Sequence, residues 1–179
     1  MGPGPFSFSG EHYTITDYEG LPKPVQAPCP PIMIGGGGKR VLSIAAREAD
    51  IVGINGNLNS GVIGAEAIAT MTEEAVVDKV GIVADAARAA GRLDAIELHL
   101  RMFVTSVTDD RDETLAEMSA FAGLDPVEFA AWPYALVGSV EQIADDLIER
   151  RERFGFSYLT VSATELESLA PVVARLTGT

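Results

Sequence analysis

The stretch Ile34-Gly35-Gly36-Gly37-Gly38-Lys39-Arg40 sets four consecutive glycines ahead of two cations. Glycines let backbone N–H groups approach an oxyanion closely, a helix beginning there adds partial positive charge, and Lys39 and Arg40 add whole charges. Gly35, Gly36, Gly37, Gly38, Lys39 and Arg40 are therefore candidate phosphate-binding residues. The strict nucleotide motifs fail: Met33 and Arg40 break the Walker pattern, and Arg40 replaces the third glycine of GxGxxG. A flexible strand-to-helix turn with solvated cations is the plainer alternative.

A second group lies on the apolar run Ala95 to Val107. Strand alternation sends Ile96, Leu98, Leu100 and Met102 one way and Glu97, His99, Arg101 and Phe103 the other. Glu97, His99 and Arg101 suit a proton-handling cluster, with His99 the candidate catalytic residue, because histidine titrates near neutrality. A structural ion cluster is the alternative. Other candidates carry less. His12 could donate to a cofactor or simply sit at a surface. Asp109-Asp110 suits a metal pair or a helix cap. Trp132-Pro133-Tyr134 could stack on a planar ring or anchor a loop. Cys29, set between prolines, has no adjacent base and reads as inert. No G-x-S-x-G nucleophile elbow exists.

The elements that would position these residues follow from the pattern. Residues 1–10 read as a loose lead-in and His12 to Thr16 as a short strand. Leu21 to Pro31, with Pro22, Pro24, Pro28, Pro30 and Pro31, is an extended connector. Strands are expected at 32–35, 50–54, 95–107 and 158–162. Helices are expected at about 39–48, from Thr72 to Gly91, at 112–121, from Asp125-Pro126, from the Ser139 capping box to Phe154, and at 165–176. Residues 55–64 read as a loop. Strands that alternate with helices predict an α/β fold with a parallel sheet. The expected division is 1–31 as lead-in and connector and 32–179 as the α/β domain.

Composition bounds the function. The chain has 179 residues, 47% hydrophobic and 22% charged, with 13 Lys+Arg against 26 Asp+Glu and a net charge of −13. That balance excludes non-specific nucleic-acid binding and disfavours anionic membranes. One cysteine closes no internal disulfide, and two histidines without HExxH make a protein-built zinc site unexpected. No apolar run spans a bilayer and the N-terminus does not read as a secretory signal, so a cytoplasmic setting is expected.

Pro30 to Asp50 resembles the luciferase-like monooxygenases. Phe8-Ser9-Gly10-Glu11-His12-Tyr13-Thr14 resembles that family's lead-in. Leu136 to Ala144, followed by Arg153-Phe154-Gly155-Phe156-Ser157-Tyr158, resembles its last βα segment. The resemblance implies a partial (β/α)8 TIM barrel, a half barrel of about four parallel strands with outer helices, equivalent to the family's strands five to eight. The family's first half, with much of its substrate site and its usual base, has no counterpart here. The resemblance implies a flavin- or deazaflavin-dependent oxidoreductase acting on a small organic molecule, with FMN or the deazaflavin coenzyme F-420 as cofactor and its phosphate on Gly35 to Arg40. The barrel rule adds Gly53 to Asn57 as a second rim segment. Asn55 and Asn57 could donate to the cofactor ring or be turn residues tolerating positive φ. An open half barrel exposes sheet edges and an inner face, so a homodimer through that face is expected. The competing functions are a non-catalytic flavin-binding or accessory module and a purely structural partner.

Overall fold

A computed structural model describes residues 4–57, 61, 65–122 and 124–178. The chain divides into two compact units, Met1–Ile32 and Met33–Thr179.

The first unit contains an antiparallel hairpin of β1 (Phe6–Ser9) and β2 (Thr14–Tyr18). Its turn closes through the Gly10 N–H donating to the Tyr13 carbonyl at 2.9 Å. The Phe6 and Tyr18 rings meet edge to face. The lead-in is thus ordered from Phe6 onward rather than loose. Its signal was the Phe-Ser-Phe-Ser alternation, whose side chains are all exposed and which buries no core.

The second unit runs β3 (Met33–Gly36), α1 (Lys39–Glu48), β4 (Ile51–Ile54), α2 (Ala65–Ala69), α3 (Glu73–Ala89), β5 (Glu97–Arg101), β6 (Val104–Val107), α4 (Arg111–Ala122), α5 (Pro126–Ala130), β7 (Ala135–Gly138), α6 (Val140–Phe154), β8 (Phe156–Thr160) and α7 (Leu166–Leu176). Strands β3-β4-β5-β8 form a four-stranded sheet, all parallel, and β6 pairs with β7 in a separate parallel ladder.

Local chemistry sets the boundaries. Thr72 accepts the Ala75 N–H to begin α3, Asp125 accepts from Val127 to begin α5, and Ser139 with Gln142 completes a capping box on α6. Gly155 ends α6 in the left-handed region at φ 82°. Val52 and Ile54 of β4, with Leu100 of β5, pack with Leu42 and Ala45 of α1 and Val76, Val83 and Ala87 of α3. The Arg92 guanidinium donates to the Ala46 and Ala49 carbonyls, satisfying the C-terminus of α1.

The structure corrects three expectations. The single strand at 95–107 is two strands, because the backbone changes partner at its middle. The Met102 N–H donates to the Thr160 carbonyl at 2.8 Å, whereas the Phe103 N–H donates to the Tyr134 carbonyl at 2.9 Å. Strand β7 lies outside the four strands expected from the pattern, since four apolar residues running straight into a helix cap offer no period to count, although the resemblance of Leu136 to Ala144 to a βα segment implies it. The last strand begins at Phe156, directly after the Gly155 cap, rather than at Tyr158. Residues 58–60 and 62–64 of the expected loop lie outside the described residues, and α2 follows them.

Candidate functional site

Because the four strands are parallel, Gly36, Ile54, Arg101 and Thr160 end at the same edge of the sheet. On the face opposite Val52 and Leu100, one row crosses the sheet as Gly35, Gly53, His99 and Tyr158. Two glycines beside a histidine and a tyrosine leave a recess. A Cβ at Gly35 would stand 2.8 Å from Asn55 Nδ2, and one at Gly53 would stand 3.3 Å from His99 Nδ1. A side chain at Gly35 would displace the Asn55 amide, and one at Gly53 would also crowd the Gly35 Cα at 3.2 Å. The recess opens into a cleft of about 430 Å³ lined by Met33, Asn55, Gly56, Met71, His99, Arg101, Phe103, Tyr158 and Thr160.

His99 is buried, with Nε2 3.0 Å from Thr160 Oγ1 and its ring edge-on to Tyr158 at 4.9 Å. Burial pushes its pKa below the usual histidine value, and the Glu97 charge opposes this more weakly. The folded state therefore takes up its proton at lower pH than the unfolded state does. That stability is present above about pH 6.5 and is lost as pH falls through the folded-state pKa. His99→Asn is expected to flatten this acid limb, measured as the urea midpoint against pH for variant and wild type. An unchanged difference between the two across pH 4–7 (roughly the range in which histidine titrates) would contradict it.

Glu97, His99 and Arg101 do not form an ion cluster. Glu97 stands at the opposite end of β5 and accepts from Ser157 Oγ at 3.1 Å. Arg101 lies at the cleft with its guanidinium 5.7 Å from the Phe103 ring centroid. Strand polarity separates the two charges: four residues along an extended chain carry them to different ends of the sheet.

The glycine run joins β3 to α1. A Cβ at Gly37 would collide with the Gly56 carbonyl and approach Asn57 Oδ1 to 2.6 Å, whereas one at Gly38 meets nothing within 4 Å. Gly38 is the N-cap of α1 and supplies no side-chain cap bond, and no acidic residue stands in the first turn. Lys39 and Arg40 are exposed there and form no salt bridge among the described residues.

Asn55 and Asn57 hold the second rim segment against this run. The Asn55 N–H donates to the Gly36 carbonyl at 3.0 Å, and the Asn57 N–H donates to Thr70 Oγ1 at 2.8 Å. Neither asparagine has positive φ, so the turn-residue explanation does not apply to them. Asn57 Oδ1 is buried without a hydrogen-bond partner among the described residues.

Two residues that position this segment escaped the sequence reading. Lys79, 6% exposed, donates from Nζ to the Asn55 carbonyl at 2.8 Å and to the Thr70 carbonyl. Burial lowers its pKa. The available signal was a lysine inside the apolar stripe Val76, Val80 and Val83. Tyr134, read only as part of a loop anchor, is fully buried and donates to the Ile54 carbonyl at 3.3 Å, and burial raises its pKa. Lys79→Met is expected to lower unfolding free energy by about 2 kcal/mol, since charged hydrogen bonds to two carbonyls are lost. Urea denaturation would check it, and an unchanged midpoint would contradict it.

The remaining candidates lie elsewhere. Trp132 is 8% exposed within an aromatic group with Phe103, Phe129 and Tyr134, so it anchors rather than presents a stacking face. Asp110 precedes α4, where its carbonyl accepts the Thr114 N–H and its own N–H donates to Thr108 Oγ1. His12 is exposed beside Glu11, and Cys29 is half-buried. Both belong to the first unit. Among the described residues no helix is long and apolar enough to cross a membrane.

Comparison with known proteins gives this arrangement a family. The profile of the luciferase-like monooxygenases matches residues 2–158. An FMNH(2)-dependent dimethylsulfone monooxygenase of Pseudomonas putida is 29% identical over 121 residues, which are 68% of this chain and 29% of that protein. A coenzyme F-420-dependent tetrahydromethanopterin reductase from Methanopyrus kandleri superposes with a TM-score of 0.64 at 16% identity, over 96% of this chain and 57% of that one. A long-chain alkane monooxygenase superposes at 0.61 and 17% identity, over 94% and 46%. The chain belongs to the luciferase-like monooxygenase family. It spans about a third of the length of that curated relative and about half of those structural neighbours, so its parallel sheet and helices correspond to part of a TIM barrel.

Proposed function

We propose that this chain is a flavin- or deazaflavin-dependent oxidoreductase that binds the cofactor phosphate on Gly35 to Arg40 and acts on a small organic molecule in the adjoining cleft. The observation that carries this reading is the start of α1. Cations in a first turn oppose the helix dipole at a cost of about 0.3–1 kcal/mol each, which a bound anion would offset. The lack of a side-chain cap, the open space around a Cβ position at Gly38, and the absence of a salt bridge to Lys39 or Arg40 among the described residues fit a phosphate. Family membership supports the same reading, because the named relative uses reduced FMN and a structural neighbour uses the deazaflavin coenzyme.

Once bound, either cofactor supplies the redox chemistry. The chain's own residues do the rest. Gly35 to Arg40 would hold the phosphate, Asn55 would supply an amide at the cleft, and His99, whose pKa burial lowers, would accept or return a proton there. A homodimer that covers the inner face belongs to this reading. Tyr158 and Met33 remain 38% and 43% exposed on that face, and a second copy would enclose them. Light scattering at micromolar concentration is expected to give twice the chain mass of 18.9 kDa; a monomer would remove the dimer from the account.

Fluorescence titration of the purified chain with FMN and with the deazaflavin coenzyme tests the cofactor assignment. Micromolar binding of one of them is expected, and no binding up to millimolar concentration would overturn it.

A further inference from the structure

Lys79 stands where an apolar residue is due. The buried face of α3 runs Val76, Lys79, Val83 and Ala87, a helical spacing that sets all four on one stripe. No carboxylate among the described residues pairs with the Lys79 ammonium. Its described partners are two main-chain carbonyls, those of Asn55 at 2.8 Å and of Thr70. An ammonium bonded in this way fixes backbone rather than another side chain.

The two carbonyls bound one excursion of the chain. Residues 56–69 leave after Asn55 and lead back to Thr70. Asn55 and Gly56 at its start, and Met71 just past its end, line the cleft, whereas Lys79 does not. Neutral contacts brace the same junction. The Asn57 N–H donates to Thr70 Oγ1 at 2.8 Å, and Thr70 Oγ1 donates to the Ala67 carbonyl at 2.7 Å. A Cβ at Gly56 would come within 2.8 Å of Met71 Sδ, so the two limbs are in contact there. A charge-assisted hydrogen bond is about twice as strong as a neutral one, which makes the ammonium the strongest tie between the limbs.

We propose that Lys79 is a positioning residue: its ammonium pins the Asn55 and Thr70 carbonyls together and so sets where the Asn55 amide and Met71 stand in the cleft. Its effect on a ligand rests on the proposed cofactor site, with the phosphate on Gly35 to Arg40 and the ring toward Asn55. Lys39 and Arg40 then distinguish a flavin with a phosphate from one without. Lys79 supports what the two flavins share, the ring.

Hydrogen exchange of single amides reads the tie without a ligand. In Lys79→Met the Asn55 and Asn57 amides, which donate to the Gly36 carbonyl and to Thr70 Oγ1, are expected to exchange faster. Their gain is expected to exceed that of the buried Leu136 amide, in the separate β6–β7 ladder, by about tenfold. Titration with FMN and riboflavin reads the consequence. Both are expected to bind about tenfold more weakly to Lys79→Met, the worth of one charge-assisted bond, with the ratio of the two affinities kept at its wild-type value. Lys79→Gln, which retains one amide donor, is expected to fall between, and it carries the same contrast if Lys79→Met does not fold. Leu169→Ala, a truncation in the core at α7, controls for lost stability and is expected to leave the exchange contrast and both affinities unchanged. Uniform acceleration of exchange, unchanged flavin affinity in Lys79→Met, or an equal loss in Leu169→Ala overturns the inference. So does a Lys79→Met variant that loses FMN and keeps riboflavin, because its charge would then act on the phosphate. If wild type binds neither flavin, the cofactor assignment fails, and the exchange contrast alone decides whether Lys79 holds the cleft.

Discussion

Gly37→Ala is expected to cost about 3 kcal/mol of stability, the upper range for forced overpacking, which in a chain of this size is a fall of about 6–12 °C in Tm. The added methyl meets the Gly56 carbonyl, a backbone group fixed by its neighbours. Asn55 is bonded to Gly36 and to Lys79, and Asn57 to Thr70, so the segment around Gly56 has nowhere to retreat. Gly38→Ala supplies the control. Its methyl enters open space, and the weaker N-cap offsets the gain from a stiffer unfolded chain to within about 0.5 kcal/mol. Differential scanning calorimetry of both variants checks the contrast. Equal melting temperatures would mean that the two rim segments are not packed as described.

The second large effect falls on binding and has the opposite sign on stability. Replacing Lys39 and Arg40 together by alanine is expected to weaken FMN binding about 100-fold, at about tenfold per charge-assisted contact, and to leave riboflavin binding unchanged. In the absence of ligand the same variant is expected to be slightly more stable than wild type, because two cations leave the positive end of α1. Fluorescence titration and thermal melts report the two halves separately. If riboflavin binding falls as far as FMN binding, the cations are acting on something other than the phosphate.

Much of this arrangement is legible in the residues. The cap chemistry of Thr72, Asp125 and Ser139 places three helix starts where the structure has them, because short-range hydrogen bonding is read from neighbours in sequence. The apolar run Ile32 to Ile34 and the run ending at Ile54 locate β3 and β4 to within about one residue for a similar reason. The break between β5 and β6 was not legible, since it depends on Thr160 and Tyr134 competing for one strand, and both are remote in sequence. Of the proposed site residues, the glycine run, Asn55 and His99 all reach one edge or face of one sheet. Glu97 shares the face of His99 but stands at the opposite end of β5, away from the edge where the strands finish. Lys79 was hidden because a lysine in an apolar stripe reads as a snorkelling surface side chain until its two carbonyl partners are seen.

The central claim is that the turn from β3 into α1 receives the cofactor phosphate. Backbone amide shifts of Gly35 to Arg40, followed by nitrogen–proton NMR while FMN and then riboflavin are added, test it most directly. The account predicts large, saturable shifts at Gly38, Lys39 and Arg40 with FMN and small ones with riboflavin. FMN binding that leaves those amides unmoved, or moves them no more than riboflavin does, would contradict it.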